Sequence, residues 1–170
     1  MMGFLKRLFR PKTKTGKAGV GGAAAIAIAA AAFIGPWEGL RTTAYPDRLA
    51  RNIPTVCYGE TRGVELSDVY TKAECDAMLA KAVQEFHDGL TNCIPSLPTL
   101  PEGVQVAFTS WSYNVGVGAA CSSTLARKAN AGDLAGACNE LPRWNRASGR
   151  VVKGLSNRRG AERTLCLGAL

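Results

Sequence analysis

From Ala18 to Trp37 no residue carries a charge, and the stretch GVGGAAAIAIAAAAFIG within it is mostly alanine and glycine. Lys6, Arg7, Arg10, Lys12, Lys14 and Lys17 precede it with no acidic residue among them. A basic flank before an apolar run is the pattern of an export element whose N-terminus stays in the cytoplasm. The run is near the lower length limit for a helix across a bilayer. Its small side chains contribute much less transfer free energy than leucine or phenylalanine, so it predicts a weak anchor. Two export readings remain, a cleavable signal peptide with many alanine sites and a signal anchor that stays attached and can later leave the bilayer. The apolar run continues through Phe33, Ile34 and Trp37 directly against Glu38, without the polar stretch that precedes cleavage, and this favours the anchor. A third reading, an alanine-rich buried helix of a soluble protein, is disfavoured by the basic leader. The expected division is a cytoplasmic leader over 1–17, a releasable signal-anchor helix over 18–35 and an exported domain over 36–170. The expected location is the inner membrane with the domain in the periplasm, then the periplasm after release, with the Sec machinery as export partner.

The chain has 170 residues, enough for one well-packed domain. Its formal net charge is +8, and the leader supplies most of the excess. A second basic group, Arg143, Arg146, Arg150, Lys153, Arg158, Arg159 and Arg163, reads either as a solvated helix face or as a contact for an anionic substrate. No aromatic residues interleave with it as a base-stacking platform would require, so no nucleic-acid partner is expected. Cys57, Cys75, Cys93, Cys121, Cys138 and Cys166 are dispersed, without a CxxC pair, and His87 is the single histidine. That is a poor zinc-ligand set, and no metal or cofactor is implied. In an exported chain an even number of dispersed cysteines predicts three disulfides, whereas in a cytosolic one they would be buried thiols. Six cysteines allow fifteen pairings. Joining near neighbours gives Cys57 with Cys75 and Cys121 with Cys138, and leaves Cys93 with Cys166.

After Pro36 the sequence reads WEGLRTTAYPDRLARNIPTVCYGETRGV. It begins as a helix around Glu38, breaks into a turn at Pro46 and continues into a β-prone run at Thr55–Tyr58. Hydrolysis of a glycosidic bond needs a carboxylic acid that protonates the leaving oxygen and a second carboxylate that handles water or the developing positive charge. Glu38 among Phe33, Ile34 and Trp37 suits the first role, since an apolar setting favours the protonated form. Asp47 in a turn suits the second. By chemistry alone the pair is unspecific, because a helix followed by a loop commonly carries two such surface charges.

The same residues carry a resemblance. Glu38, eight intervening residues, Asp47 and the later Thr55 are similar to the catalytic region of phage-type lysozymes, glycoside hydrolase family 24, especially the signal-anchor-release endolysins of lambdoid phages. Trp111-Ser-Tyr-Asn-Val-Gly116, Ser123-Thr-Leu-Ala-Arg-Lys, Leu141-Pro-Arg-Trp-Asn145 and Gly154-Leu-Ser-Asn-Arg-Arg-Gly-Ala-Glu-Arg163 follow in order, so the likeness covers roughly 36–167. The resemblance implies a mostly helical α+β fold, a lysozyme-like two-lobed domain with a small β-hairpin lobe, that cleaves the β-1,4 bond from N-acetylmuramic acid to N-acetylglucosamine in peptidoglycan and lyses the host cell. It implies Glu38 as general acid, Asp47 as base or water-orienting charge and Thr55 as holder of the attacking water. Carboxyl groups about 6.5–9.5 Å apart would make the reaction inverting. Asn114 and Gly59 are placed at the sugar-binding surface, Asn114 having a helix-end capping amide as its alternative role. The turn from Arg48 to Pro54 is two residues longer than in well-known members. Glu60 stands where many relatives have histidine, and a structural pairing with Arg62 or a helix end is expected of it. Trp111 and Trp144 are expected in the core. With no cysteine in the anchor, disulfide exchange cannot control release, and control by topology is expected: the freed segment packs against the domain.

Two other classes of function compete. A catalytically silent, membrane-anchored peptidoglycan-binding module would not need the acid, aspartate and threonine together. A small secreted membrane-active disulfide protein would need an exposed amphipathic helix, and none stands out from the core helices. The enzyme is expected to act as a monomer.

Overall fold

The computed structural model describes residues 20–48 and 51–170. The basic leader, the first two residues of the expected anchor and two residues of the hairpin loop therefore lie outside the described residues. Helix α1 covers Val20–Glu38. Its alanines are the best helix formers, and its apolar residues recur so that Ile26, Ala27, Ala30, Ala31 and Ile34 share one buried face. That face packs on α2 (Lys72–Thr91) and α3 (Glu102–Val115), where Ala30 and Ile34 meet a cluster containing Leu79, Val83, Val106 and Tyr113. The expected boundary between 35 and 36 thus falls inside a continuous helix. Among the described residues no helix is long and apolar enough to cross a membrane.

The seating of α1 is narrow. A groove of about 520 Å³ lined by Ala29, Phe33, Val106 and Leu165 runs along one flank. Another of about 740 Å³, lined by Ile28, Ala31, Gly35 and Leu79, runs along the other. Ile28 is 65% exposed, so the helix is apolar beyond the face it buries.

Gly39 ends α1. Its φ of +75° is open to glycine at no steric cost, and its N–H donates to the Gly35 carbonyl at 3.3 Å. The chain turns there into β1 (Arg41–Asp47), which pairs antiparallel with β2 (Ile53–Cys57), Tyr45 opposite Thr55 and Asp47 opposite Ile53. Ala44, Val56, Cys57 and Cys75 form the small core of this hairpin lobe. Helix α2 begins with a capping box in which Thr71 and Glu74 satisfy each other's backbone N–H groups. At about 1.5 Å rise per residue its 20 residues span about 30 Å. It runs from Cys75 in the hairpin core, through Leu79 and Val83 beneath α1, to Leu90 in the main helical core.

That main core surrounds α3, whose residues from Val104 to Tyr113 are all buried. Around it lie α4 (Val117–Cys121), α5 (Thr124–Asn130), α6 (Leu134–Cys138) and the C-terminal α7 (Lys153–Gly168). Trp111 is fully buried and meets Trp144 edge-on at 5.2 Å, as core residues. A second hairpin, β3 (Arg146–Ala147) with β4 (Arg150–Val151), precedes α7 and was not anticipated from sequence. The mostly helical architecture with small sheets is the expected one.

All six cysteines are paired. Cys57–Cys75 is the expected bridge, but the other two are Cys93–Cys121 and Cys138–Cys166, not Cys121–Cys138 and Cys93–Cys166. Nearness in sequence fails because the residues between Cys121 and Cys138 fold into α5 and α6, which pack on each other. This leaves Cys121 at the end of α4 against α2, and Cys138 at the end of α6 against α7. No bridge ties α1 to the rest.

Candidate functional site

Glu38, the last residue of α1, reaches α7. Its Oε1 accepts a hydrogen bond from Arg158 Nη1 at 2.8 Å, across 120 residues of sequence. Every nitrogen of that guanidinium is engaged. Nε donates to Glu162 Oε1 at 3.2 Å, and Nη2 donates to the Ser110 carbonyl at 3.1 Å. Ser110 Oγ donates to Glu162 Oε1 at 2.7 Å, and Arg159 Nη2 donates to the same oxygen at 2.8 Å. Arg158 is 4% exposed, Arg159 and Glu162 are fully buried, and Glu38 keeps 23% of its side chain in contact with solvent. The reading of Arg158 and Arg159 as a solvated face or a substrate contact is therefore corrected. They lie on the buried face of α7 because Glu162 and Glu38 supply the counter-charges without which a buried cation is untenable.

Burial pulls Arg159 down to about 10, against the opposing field of Glu162, so it remains a cation at neutral pH. Burial also raises Glu162, outweighing its two arginines and the Ser110 hydrogen bond. Tyr113 on α3 is 4% exposed and titrates above its ordinary range, chiefly through burial and then through the fields of Glu38 and Glu60.

The hairpin that begins three residues beyond Glu38, at Arg41, carries the other candidates. Asp47 closes β1, and its carbonyl accepts from the Asn52 N–H at 2.7 Å. The left-handed φ of Arg51 (58°) and Asn52 (60°) turns the chain back beneath it. Thr55, 3% exposed on β2, donates its hydroxyl to the Ile53 carbonyl at 3.0 Å, which leaves the oxygen's lone pairs as acceptors. Gly59, at φ +95°, forms the turn that brings the Glu60 N–H onto the Val56 carbonyl at 2.9 Å.

Glu60 has the structural pairing expected of it. It binds the Arg62 guanidinium at 2.9 Å, and Arg62 also bridges to Glu85 of α2 at 3.0 Å, fastening the turn to the helix. Partial burial would raise Glu60, but the hydrogen bonds from Arg62 and Thr61 outweigh it and hold the carboxyl below its ordinary value. Asn114, next to last in α3, is partly exposed. Among the described residues no cluster of three or more histidine, cysteine, aspartate or glutamate side chains is arranged to hold a metal ion.

Sequence reasoning missed Ser110, the pairing of Arg158 with Glu38, and Glu162. A signal was present: Arg158, Arg159, Glu162 and Cys166 fall at helical spacing on one face of α7.

Residues 35–162 match the family model described as phage lysozyme. The SAR-endolysin of Enterobacteria phage P21 is 40% identical over 161 residues, covering 92% of this chain and 96% of the relative. The SAR-endolysin of Pseudomonas phage phiKMV is 37% identical, covering 85% and 89%. Among solved structures, the muramidase domain of SpmX from Asticaccaulis excentricus superposes with a TM-score of 0.72 at 25% identity, covering 82% of this chain and 95% of that one.

Proposed function

The chain belongs to the phage lysozyme family, and from that premise we propose that it is an endolysin that hydrolyses the β-1,4 bond between N-acetylmuramic acid and N-acetylglucosamine of peptidoglycan. The relatives named SAR-endolysin and the muramidase likeness support this activity. The observation that carries the site assignment is the junction of α1 and the first hairpin: a carboxylic acid ends the helix in the grip of Arg158, and the strands that follow carry Asp47 and Thr55.

In this reading Glu38 donates its proton to the glycosidic oxygen as the bond to the anomeric carbon breaks. Asp47 faces the developing positive charge, orients water and takes up the proton that water loses as it adds. Thr55 accepts a hydrogen bond from that water and aims it at the anomeric carbon. Arg158 fixes the Glu38 carboxyl in place, and Gly59 and Asn114 border the sugar.

Residues 1–35 act as leader and releasable anchor. While the anchor is in the bilayer, Glu38 is held at the membrane surface, apart from Arg158. Once it leaves, residues 26–34 take the seat they occupy on α2 and α3, and the acid reaches its partner. The absence of a disulfide on α1 and the narrowness of its seat suit a helix that has two environments. The enzyme then works in the periplasm as a monomer.

The test compares full-length wild type, recovered from the periplasm, with Glu38→Gln for solubilisation of purified peptidoglycan. Loss of general acid catalysis is expected to cost about 10²–10⁴ in rate. If neither protein cuts the wall and both bind it, the chain is an anchored binding module instead.

A further inference from the structure

The buried charges behind Glu38 make a specific balance. Arg158 and Arg159 bring two positive charges, and Glu162 is the carboxylate within ion-pair distance of both, at 3.2 Å and 2.7 Å. Its Oε1 accepts from Arg158, Arg159 and Ser110 at once. Glu162 reaches Glu38 by hydrogen bonds only through Arg158.

We propose that Glu162 is a positioning residue of the hydrolysis, holding the Arg158 guanidinium aimed at Glu38 and cancelling one of the two buried positive charges that would otherwise draw the proton from that acid. The inference rests on the reading of Glu38 as the general acid.

The geometry supports both halves of the role. A guanidinium held only by Glu38 would follow that side chain wherever it went. Anchored through Nε to Glu162 and through Nη2 to Ser110, it offers Nη1 from a fixed place. The second half follows from Coulomb's law, because Arg158, Arg159 and Glu162 are buried, where screening by water is weak and the loss of a charge is felt strongly. The charged and titratable groups in the surroundings are Arg158, Arg159 and Glu162 on α7, Tyr113 on α3, and Glu60 with Arg62 on the turn after β2. Arg62 is already neutralised by Glu60 and Glu85, so Glu162 is the carboxylate on which the balance behind the acid turns.

The test is the pH profile of maximal wall-solubilising rate for the full-length protein. On the alkaline limb the rate falls because the general acid loses its proton. Glu162→Gln keeps the shape and removes the charge, and should move that limb to lower pH by about one unit, with about a tenfold loss of rate above it. Ser110→Ala disturbs the same hydrogen bonds without changing charge and should lower the rate while leaving the limb in place. Arg159→Met removes a cation and should move the limb to higher pH, and it decides the matter if Glu162→Gln does not fold.

An alkaline limb unmoved in Glu162→Gln, or in Arg159→Met where the former does not fold, overturns the inference even if the rate drops. If Glu38→Gln retains wild-type activity, the site reading itself has failed. If Glu38→Gln is inactive and the limb stays put, only the role of Glu162 falls.

Discussion

Replacing Ile34 by alanine tests whether α1 is a helix that docks as a unit. Ile34 is completely buried, while Ala27, Ala30 and Ala31 beside it contribute little apolar area each. Burying an isoleucine is worth roughly 1.5–3 kcal/mol, and the cavity left among Leu79, Val83, Val106 and Tyr113 adds to the loss. The expected cost is about 3 kcal/mol, within the range of about 2–5 for isoleucine-to-alanine changes in cores. At about 1.4 kcal/mol per factor of ten, this weakens docking by about two orders of magnitude. The rest of the domain is stapled by three disulfides, none of which involves α1. Hydrogen exchange on the purified full-length protein should therefore show α1 amides exchanging about 10²-fold faster, with amides near Phe108 and Trp111 of α3 unchanged. Wall-solubilising activity should fall once undocked molecules outnumber docked ones. If the α1 and α3 amides accelerate together, the helix belongs to one cooperative unit and the argument for a separable docking step is wrong. An unchanged α1 would show that Ile34 is not what holds it.

Three further outcomes follow from the geometry. Asp47→Asn should lower the rate of wall solubilisation by at least about 10²-fold with little change in melting temperature, and a variant within a few-fold of wild type would remove Asp47 from the mechanism. Glu60 titrates below its ordinary value in the fold, so its contribution to stability is complete above the unfolded value and is lost as pH falls through the folded one. Arg62 is nearly half exposed, so Glu60→Gln should cost no more than about 1 kcal/mol at pH 7, and the difference should vanish in acid; a larger gap at low pH would reverse the sign of the argument. The Cys138–Cys166 bridge closes a separation of 28 residues. Replacing both cysteines with alanine should cost about 3–4 kcal/mol by loop entropy, readable as a lower denaturant midpoint, and an unchanged midpoint would mean that packing alone holds α7.

What was legible in the sequence was local. The uncharged run, the Glu38-to-Asp47 spacing and the burial of Trp111 all depend on residues within a few turns of one another. The β3–β4 hairpin also had a local signal, Ser148-Gly149, with both φ positive at 49° and 76°, as a two-residue hairpin turn requires. Disulfide pairing was not legible, because two of the three partners are chosen by how α4 meets α2 and how α6 meets α7. The arginines show where a general rule misleads. Counted as charges in a basic stretch, Arg158 and Arg159 belong at the surface, but Cys166 on the same helix was already expected in a disulfide and hence in the core. Positions four, seven and eight residues before it lie on the same side of an α-helix, and these are Glu162, Arg159 and Arg158. A face that must be buried and carries two cations and one anion has one charge unanswered within the helix. Glu38, brought by α1 from 120 residues away, answers it. The catalytic candidate therefore also completes the ionic cluster on α7, and in the proposed mechanism the end of α1 is where helix docking and chemistry meet.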